Sequence, residues 1–142
     1  MQVRELMNSN VISISPDESA ALAARLIARH NIGALPVCTN EGSIRGVVTD
    51  RDIVLRCVAA EEDPSQTPVR NIMSRSTFTI SPDDDIRAAS HVMSEKQVRR
   101  LPVVEQGKVV GMLSLGDLAV SNNCDMEAAK ALTEISENVH HP

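Results

Sequence analysis

The sequence predicts a mixed α/β (α+β) fold of tandem β-α-β-β-α repeats. Three observations carry this: blocks that recur at a fixed offset, β-branched runs closed by Ser-Pro-Asp, and apolar residues at helical spacing between them. Val3-Arg4-x-Leu6-Met7 returns as Val69-Arg70-x-Ile72-Met73, Ile14-Ser15-Pro16-Asp17 as Ile80-Ser81-Pro82-Asp83, and Leu35-Pro36-Val37 as Leu101-Pro102-Val103, all in one register. After the turn at Asn40-Glu41-Gly42 the register shortens by one residue, so that Gly46-Val47-Val48-Thr49-x-x-Asp52 matches Gly111-Met112-Leu113-Ser114-x-x-Asp117. Four blocks in the same order identify a duplication with one residue lost in a loop.

Each copy opens on a short helical turn. Val11-Ile12-Ser13-Ile14 and Thr77-Phe78-Thr79-Ile80 then read as strands, because β-branched residues fit a pleated surface and the following Ser-Pro-Asp stops a strand and starts a helix. Ala20, Ala23, Ala24 and Ile27 recur at the spacing of one helical face, as do Ile86, Ala89, Ser90 and Met93 in the second copy. Two strands follow, Leu35-Pro36-Val37-Cys38 and residues 44–48, separated by a Gly-containing turn. A second helix starts near Asp50 and runs to about Ala60. The boundaries are therefore a first repeat over 1–60, a linker over 61–68, a second repeat over 69–121, and a C-terminal helix and tail over 122–142. The linker, Glu61-Glu62-Asp63-Pro64-Ser65-Gln66-Thr67-Pro68, is acidic and carries two prolines, the composition of an exposed connection. A copy of about 60 residues has too small a core to be comfortable alone, so the two are expected to pack face to face with pseudo-twofold symmetry. In the tail, Met126, Ala129, Leu132 and Ile135 fall on one side of a helix that covers the pair or a partner subunit.

Composition excludes several function classes. A net charge of -5 argues against a general nucleic-acid coat, and the lone aromatic residue, Phe78, removes the stacking platforms of single-strand binding. Neither nucleic acid nor a membrane is an expected partner: no apolar run approaches the ~20 residues of a membrane span. The first residues lack the layout of a secretion signal, and Cys38, Cys57 and Cys124 lie far apart, which suits a reducing, cytoplasmic setting. Cys38 and Cys57 read as small apolar core residues, and Met7, Met73, Met93 and Met112 as core filling. His30, His91, His140 and His141 have no carboxylate or thiol at metal-ligand spacing, so no metal site is expected. No nucleophile arrangement and no Gly-rich phosphate loop can be proposed, so neither an enzyme nor a catalytic cofactor is expected.

The chemistry concentrates where Gly46-Val47-Val48 runs into Thr49-Asp50-Arg51-Asp52. A strand that feeds a helix N-terminus offers unpaired backbone N–H groups and the positive end of the helix dipole to an anion. Thr49 has a hydroxyl to donate to a phosphate oxygen, and Asp52 has oxygens to accept from ribose hydroxyls. Equally, threonine is a favoured N-cap and an aspartate in the first turn stabilises a helix by ~1 kcal/mol or less with no ligand present. The residues alone leave cap and ligand site open.

The paired unit, with Gly-h-h-Thr/Ser-x-x-Asp after a Leu-Pro-Val strand in each copy, resembles the CBS domain pair, or Bateman module, over roughly residues 3–121. The single-module layout is similar to small stand-alone bacterial members, including those tied to stress or hypoxic responses. The resemblance implies an adenine-nucleotide-binding regulatory module, with AMP, ADP, ATP or S-adenosylmethionine as regulatory ligand. It places phosphate contacts on Thr49 and Ser114 and ribose contacts on Asp52 and Asp117, with Asp50 and Arg51 beside them. Arg99-Arg100 precede the Leu-Pro-Val strand of the second copy where Gly33-Ala34 stand in the first, and the resemblance implies that these arginines serve phosphates of a nucleotide whose ribose the other copy's aspartate holds; the alternative is a solvated pair bridging to Asp or Glu of the other copy. Gly116 replaces Arg51 in the second copy and leaves that site less positive. The resemblance also implies a homodimer through helical residues such as Leu22, Leu26 and Val92 or the C-terminal helix, and an unidentified protein target. The alternative is a ligand-free interaction or scaffold protein in which Thr49 and Ser114 serve only as caps.

Overall fold

A computed structural model describes residues 1–75, 78–119, 131 and 133–135. Among these, helices α1 (Ala20–His30), α2 (Asp50–Ile53), α3 (Ile86–Lys96) and α4 (Leu115–Ala119) alternate with strands β1 (Ala34–Cys38), β2 (Ile44–Thr49), β3 (Arg100–Glu105) and β4 (Lys108–Ser114). Single 3-10 turns occupy Val3–Glu5 and Val69–Asn71, and α2 continues into a π-helical turn, Val54–Val58. The strands form two antiparallel hairpins, β1-β2 and β3-β4, so the class is α+β.

Local chemistry explains the long helices. Ser19 Oγ accepts the N–H of Leu22 at 3.1 Å to start α1, and Asp85 Oδ1 accepts that of Arg87 at 2.9 Å to start α3. Both helices end on a residue in the left-handed region, Asn31 at φ 52° and Gln97 at φ 58°. The faces expected from periodicity are the inner ones: Ala20 and Ala23 are buried with Ala24 and Ile27 packed beside them, and Ile86, Ala89, Ser90 and Met93 are all buried.

Where strands were expected, residues 11–14 and 78–80 each make one parallel bridge instead, Ile14 to Val37 and Ile80 to Val103, and Thr77 lies outside the described residues. Ile14 N–H donates to Pro36 O at 3.1 Å and Cys38 N–H to Ile14 O at 2.9 Å, and Ile80 repeats this with Pro102 and Val104 at 3.1 and 2.9 Å. The next rung on one side needs an N–H from Pro16 or Pro82, and on the other side from Pro36 or Pro102. Proline has none, so the ladder stops at one rung in both directions.

The chain divides into two compact units, Ile12–Thr77 and Met1–Val11 with Phe78–Pro142. Repeats and units are thus different sets of residues, because each repeat lends its opening segment to the other unit. Val3 N–H donates to Asp84 O at 2.8 Å and Arg4 N–H to Pro82 O at 3.0 Å; Val69 and Arg70 make the same bonds to Glu18 O and Pro16 O at 2.8 and 3.0 Å. Arg4 pairs with Asp83, and Arg70 with Asp17 at 2.5 Å. Asn8 then bridges to Met112 of β4 and Ser74 to Val47 of β2.

Segment 61–68, read from composition as an exposed connection, has a structural task. Thr67 is buried, its carbonyl accepts the N–H of Ala20 at 2.8 Å, and the carbonyl of Pro64 accepts that of Ala21 at 3.0 Å. The linker therefore satisfies the first N–H groups of α1 that the helix cannot satisfy itself.

Each unit has its own core. Leu35, Val37, Val48, Cys57, Val69 and Ile72 fill one, and Val3, Met93, Leu101, Val103, Leu113 and Leu118 the other. A fully buried side chain of this size contributes about 1.5–3 kcal/mol through the hydrophobic effect. Ala131 and Ile135 are buried too, and Gln97 Nε2 donates to Glu134 O at 3.3 Å. Met126, Ala129 and Leu132, along with Cys124, His140 and His141, lie outside the described residues.

Candidate functional site

The two strand-to-helix corners have the same construction. Cross-strand register sets Ala34 opposite Thr49 and Arg100 opposite Ser114. Asp52 N–H donates to Thr49 Oγ1 at 3.0 Å, while Thr49 N–H donates to Asp52 Oδ2 at 2.9 Å. Asp117 and Ser114 repeat the pair at 3.1 and 2.8 Å. These are reciprocal capping boxes.

The backbone anion cradle expected at Thr49–Asp52 is not free. Asp50 N–H donates to Gly33 O at 3.1 Å and Arg51 N–H to Asp50 Oδ1 at 2.8 Å, and the N–H groups of Thr49 and Asp52 close the capping box. A donor already bonded within the chain has no bond left for a phosphate, which leaves side-chain groups as the free polar groups of this corner. The Thr49 hydroxyl still holds its own proton while accepting from Asp52, and Asp52 Oδ1 has no protein partner among the described residues.

The sequence-predicted residues are distributed over the two units. Thr49, Asp50, Arg51 and Asp52 cluster in one unit, with Asp50 and Arg51 exposed. Arg99, Arg100, Ser114 and Asp117 belong to the other, where the Arg99 carbonyl accepts the N–H of Leu115 at 2.8 Å and so fixes the arginine pair at the Ser114 corner. Both arginines are exposed. The first corner has Arg51 in its helix; the second has Arg100 at the start of β3 and Arg99 just before it, with Gly116 in place of Arg51.

Two features were not singled out in the sequence. Leu22, Leu26 and Val92, expected at a helical dimer surface, are half-buried and packed against the cores of their units. Large exposed apolar side chains cluster on the π-helical turn, where Val54, Leu55 and Val58 are 55, 50 and 59% exposed. The second feature is Arg56, whose Nη1 donates to the carbonyls of Ile72 and Met73, each at 3.3 Å. Cys38 and Cys57 are free thiols in the interior, and burial pushes the Cys38 thiol up from its ordinary pKa.

Among the described residues, no helix is long and apolar enough to cross a membrane. The CBS domain matches this chain twice, over residues 3–58 and 69–121. The chain is 42% identical to the CBS domain-containing protein YhcV of Bacillus subtilis, over 97% of this chain and 98% of the relative. It is 34% identical to hypoxic response protein 1 of Mycobacterium tuberculosis, over 82% and 81%. Among solved structures, it superposes on a CBS domain protein of Pyrobaculum aerophilum complexed with AMP, with a TM-score of 0.81, 26% identity and 92% and 99% of the two chains covered. Two matched repeats that between them take in both capped corners, on a fold shared with solved CBS proteins, make this chain a member of the CBS domain family.

Proposed function

We propose that this chain is a regulatory module that binds an adenosyl ligand, with AMP, ADP or ATP as first candidates, at its two strand-to-helix corners. The observation that carries the reading is the repetition of one corner in both units: a hydroxyl with a proton to give, a carboxylate with one oxygen uncommitted, and arginine alongside. Thr49 and Ser114 donate to phosphate, Asp52 and Asp117 accept from ribose hydroxyls, and Arg51 on one corner and Arg99 and Arg100 on the other neutralise phosphate charge. Asp50 is exposed beside Arg51, and one of its carboxylate oxygens accepts the Arg51 N–H. The AMP held by the Pyrobaculum aerophilum protein supports the choice of ligand class.

Adenine lies between aliphatic side chains and backbone, since the chain has no Trp or Tyr. Ligand is bound and released unchanged, and the signal passes to a second copy of the chain or to a protein target. The apolar face of Val54, Leu55 and Val58 is the surface we assign to the second copy. The free thiols of Cys38 and Cys57 suit a reducing cytoplasm, and the likeness to a hypoxic response protein supports a role in stress.

A ligand-free scaffold is the competing reading, favoured by the completeness of the capping boxes without any ligand. A thermal-shift panel of AMP, ADP, ATP, NADH and S-adenosylmethionine separates the two. Ligand at a hundred times its Kd adds about 2.7 kcal/mol to stability, a rise of several degrees in Tm, whereas a scaffold shows no rise with any of them at millimolar concentration.

A further inference from the structure

One peptide group in the first corner's unit is held from both sides. The Met73–Ser74 peptide gives its N–H to Val47 O at 2.9 Å, and its carbonyl oxygen accepts from Arg56 Nη1 at 3.3 Å. Val47 lies two residues before Thr49 on β2, and Arg56 lies four residues after Asp52 on the helix that leaves the corner. The approach is close: a Cβ added at Gly46 would stand 2.4 Å from Ser74 O. The chain crosses from this unit to the other just past this segment, between Thr77 and Phe78.

Because the Thr49–Asp52 corner joins the two holding groups, a change of strand-to-helix angle there must move Arg56 relative to Val47. The other unit keeps one half of this arrangement, with Asn8 N–H donating to Met112 O at 2.8 Å. At the place of Arg56 the second repeat has Ser121, which carries no guanidinium.

We infer that Arg56 is a positioning residue that couples the state of the Thr49–Asp52 corner to the segment Ile72–Ser74, and that the second corner, with Ser121 in place of Arg56, lacks this guanidinium coupling. The inference rests on the proposed ligand reading for what moves the corner. It adds which corner reports its occupancy and through which side chain. The coupling is reciprocal, so loosening the segment also alters the corner. A helix that changes from α to π hydrogen bonding directly after the corner supplies an element able to shift register.

The test is amide hydrogen exchange, read residue by residue on the full chain with AMP as probe. In the wild type, AMP slows exchange of the Ser74 amide. In Arg56→Met, AMP binds with a Kd within about twofold of wild type, but the Ser74 response is lost, and the Asn8 amide does not change with Arg56 in either protein. An unchanged Ser74 response in Arg56→Met, or a loss of AMP affinity as large as that of Asp52→Ala, overturns the inference. Should the wild type bind no adenosyl ligand, the functional reading fails by itself and the coupling is judged without ligand. Asp52→Ala then speeds Ser74 exchange by roughly tenfold more than Asn8 exchange, and the double variant is no faster than Arg56→Met alone. Additive effects of the two substitutions overturn the coupling.

Discussion

Thr49 and Asp52 hold each other: the Asp52 N–H donates to Thr49 Oγ1 at 3.0 Å and the Thr49 N–H to Asp52 Oδ2 at 2.9 Å. The pair fixes the last residue of β2 and the first turn of α2 as one rigid corner. Its two remaining groups, the Thr49 hydroxyl proton and Asp52 Oδ1, face no competing partner among the described residues. On the proposed reading, capping and binding are successive uses of the same side chains.

Capping contributes stability that can be measured apart from any ligand. Asp52→Ala and Asp117→Ala should each lower unfolding free energy by about 0.5–2 kcal/mol without ligand, as loss of a cap does. Asp52→Asn keeps an oxygen for the Thr49 N–H and should lose less than Asp52→Ala. Urea unfolding gives all three values, and equal losses for Asn and Ala would contradict the cap.

The three corner-side glycines should respond differently to alanine. Gly46→Ala brings a Cβ to 2.4 Å of a backbone oxygen, Ser74 O, and should cost about 1–3 kcal/mol. Gly111→Ala meets the Met7 Sδ at 2.7 Å, a flexible end that can swing aside, and should cost less. Gly116→Ala meets nothing closer than Ser114 Oγ at 3.6 Å inside α4 and should stabilise by about 0.5–1 kcal/mol. Thermal denaturation of the three variants orders them, and any other order removes the steric account.

Burial raises the pKa of Cys38, so the folded protein keeps the thiol proton at a pH where the unfolded chain releases it. That contribution to stability is complete below the ordinary thiol value of about 8.5 and is lost as the pH climbs above it. Between pH 8 and 10 the wild type should lose stability more steeply than Cys38→Ala, by chemical denaturation. Parallel slopes would contradict a buried neutral thiol.

Val54, Leu55 and Val58 form an exposed apolar face beside buried Cys57. Val54→Ser combined with Val58→Ser should leave the fold and ligand affinity unchanged while shifting a dimer to monomer in sedimentation or light scattering. A dimer of undiminished stability would place the contact elsewhere.

Much of this architecture was legible in the sequence because duplication repeats local chemistry. The helix faces of Ala20, Ala23 and Ile86, Ala89, Met93 follow from spacing, and the corners from Thr49-x-x-Asp52 and Ser114-x-x-Asp117. What spacing cannot carry is the destination of a hydrogen bond. Pro16 and Pro36 reduce an expected strand to a bridge through the N–H groups they lack. The carbonyls of Pro64 and Thr67 end on α1, Val3 and Val69 each serve the unit of the other repeat, and Arg56 reaches residues sixteen and seventeen positions away. The same limit applies at the corner, where a strand followed by a helix implied free N–H donors and the fold uses each of them internally.

Calorimetric titration of AMP into wild type and Asp52→Ala, both shown folded by circular dichroism, addresses the central claim most directly. The account predicts saturable binding by the wild type and a loss of about ten- to hundredfold in affinity for Asp52→Ala, the effect of removing one hydrogen-bond acceptor from a ribose. Equal affinity in the two proteins would contradict it.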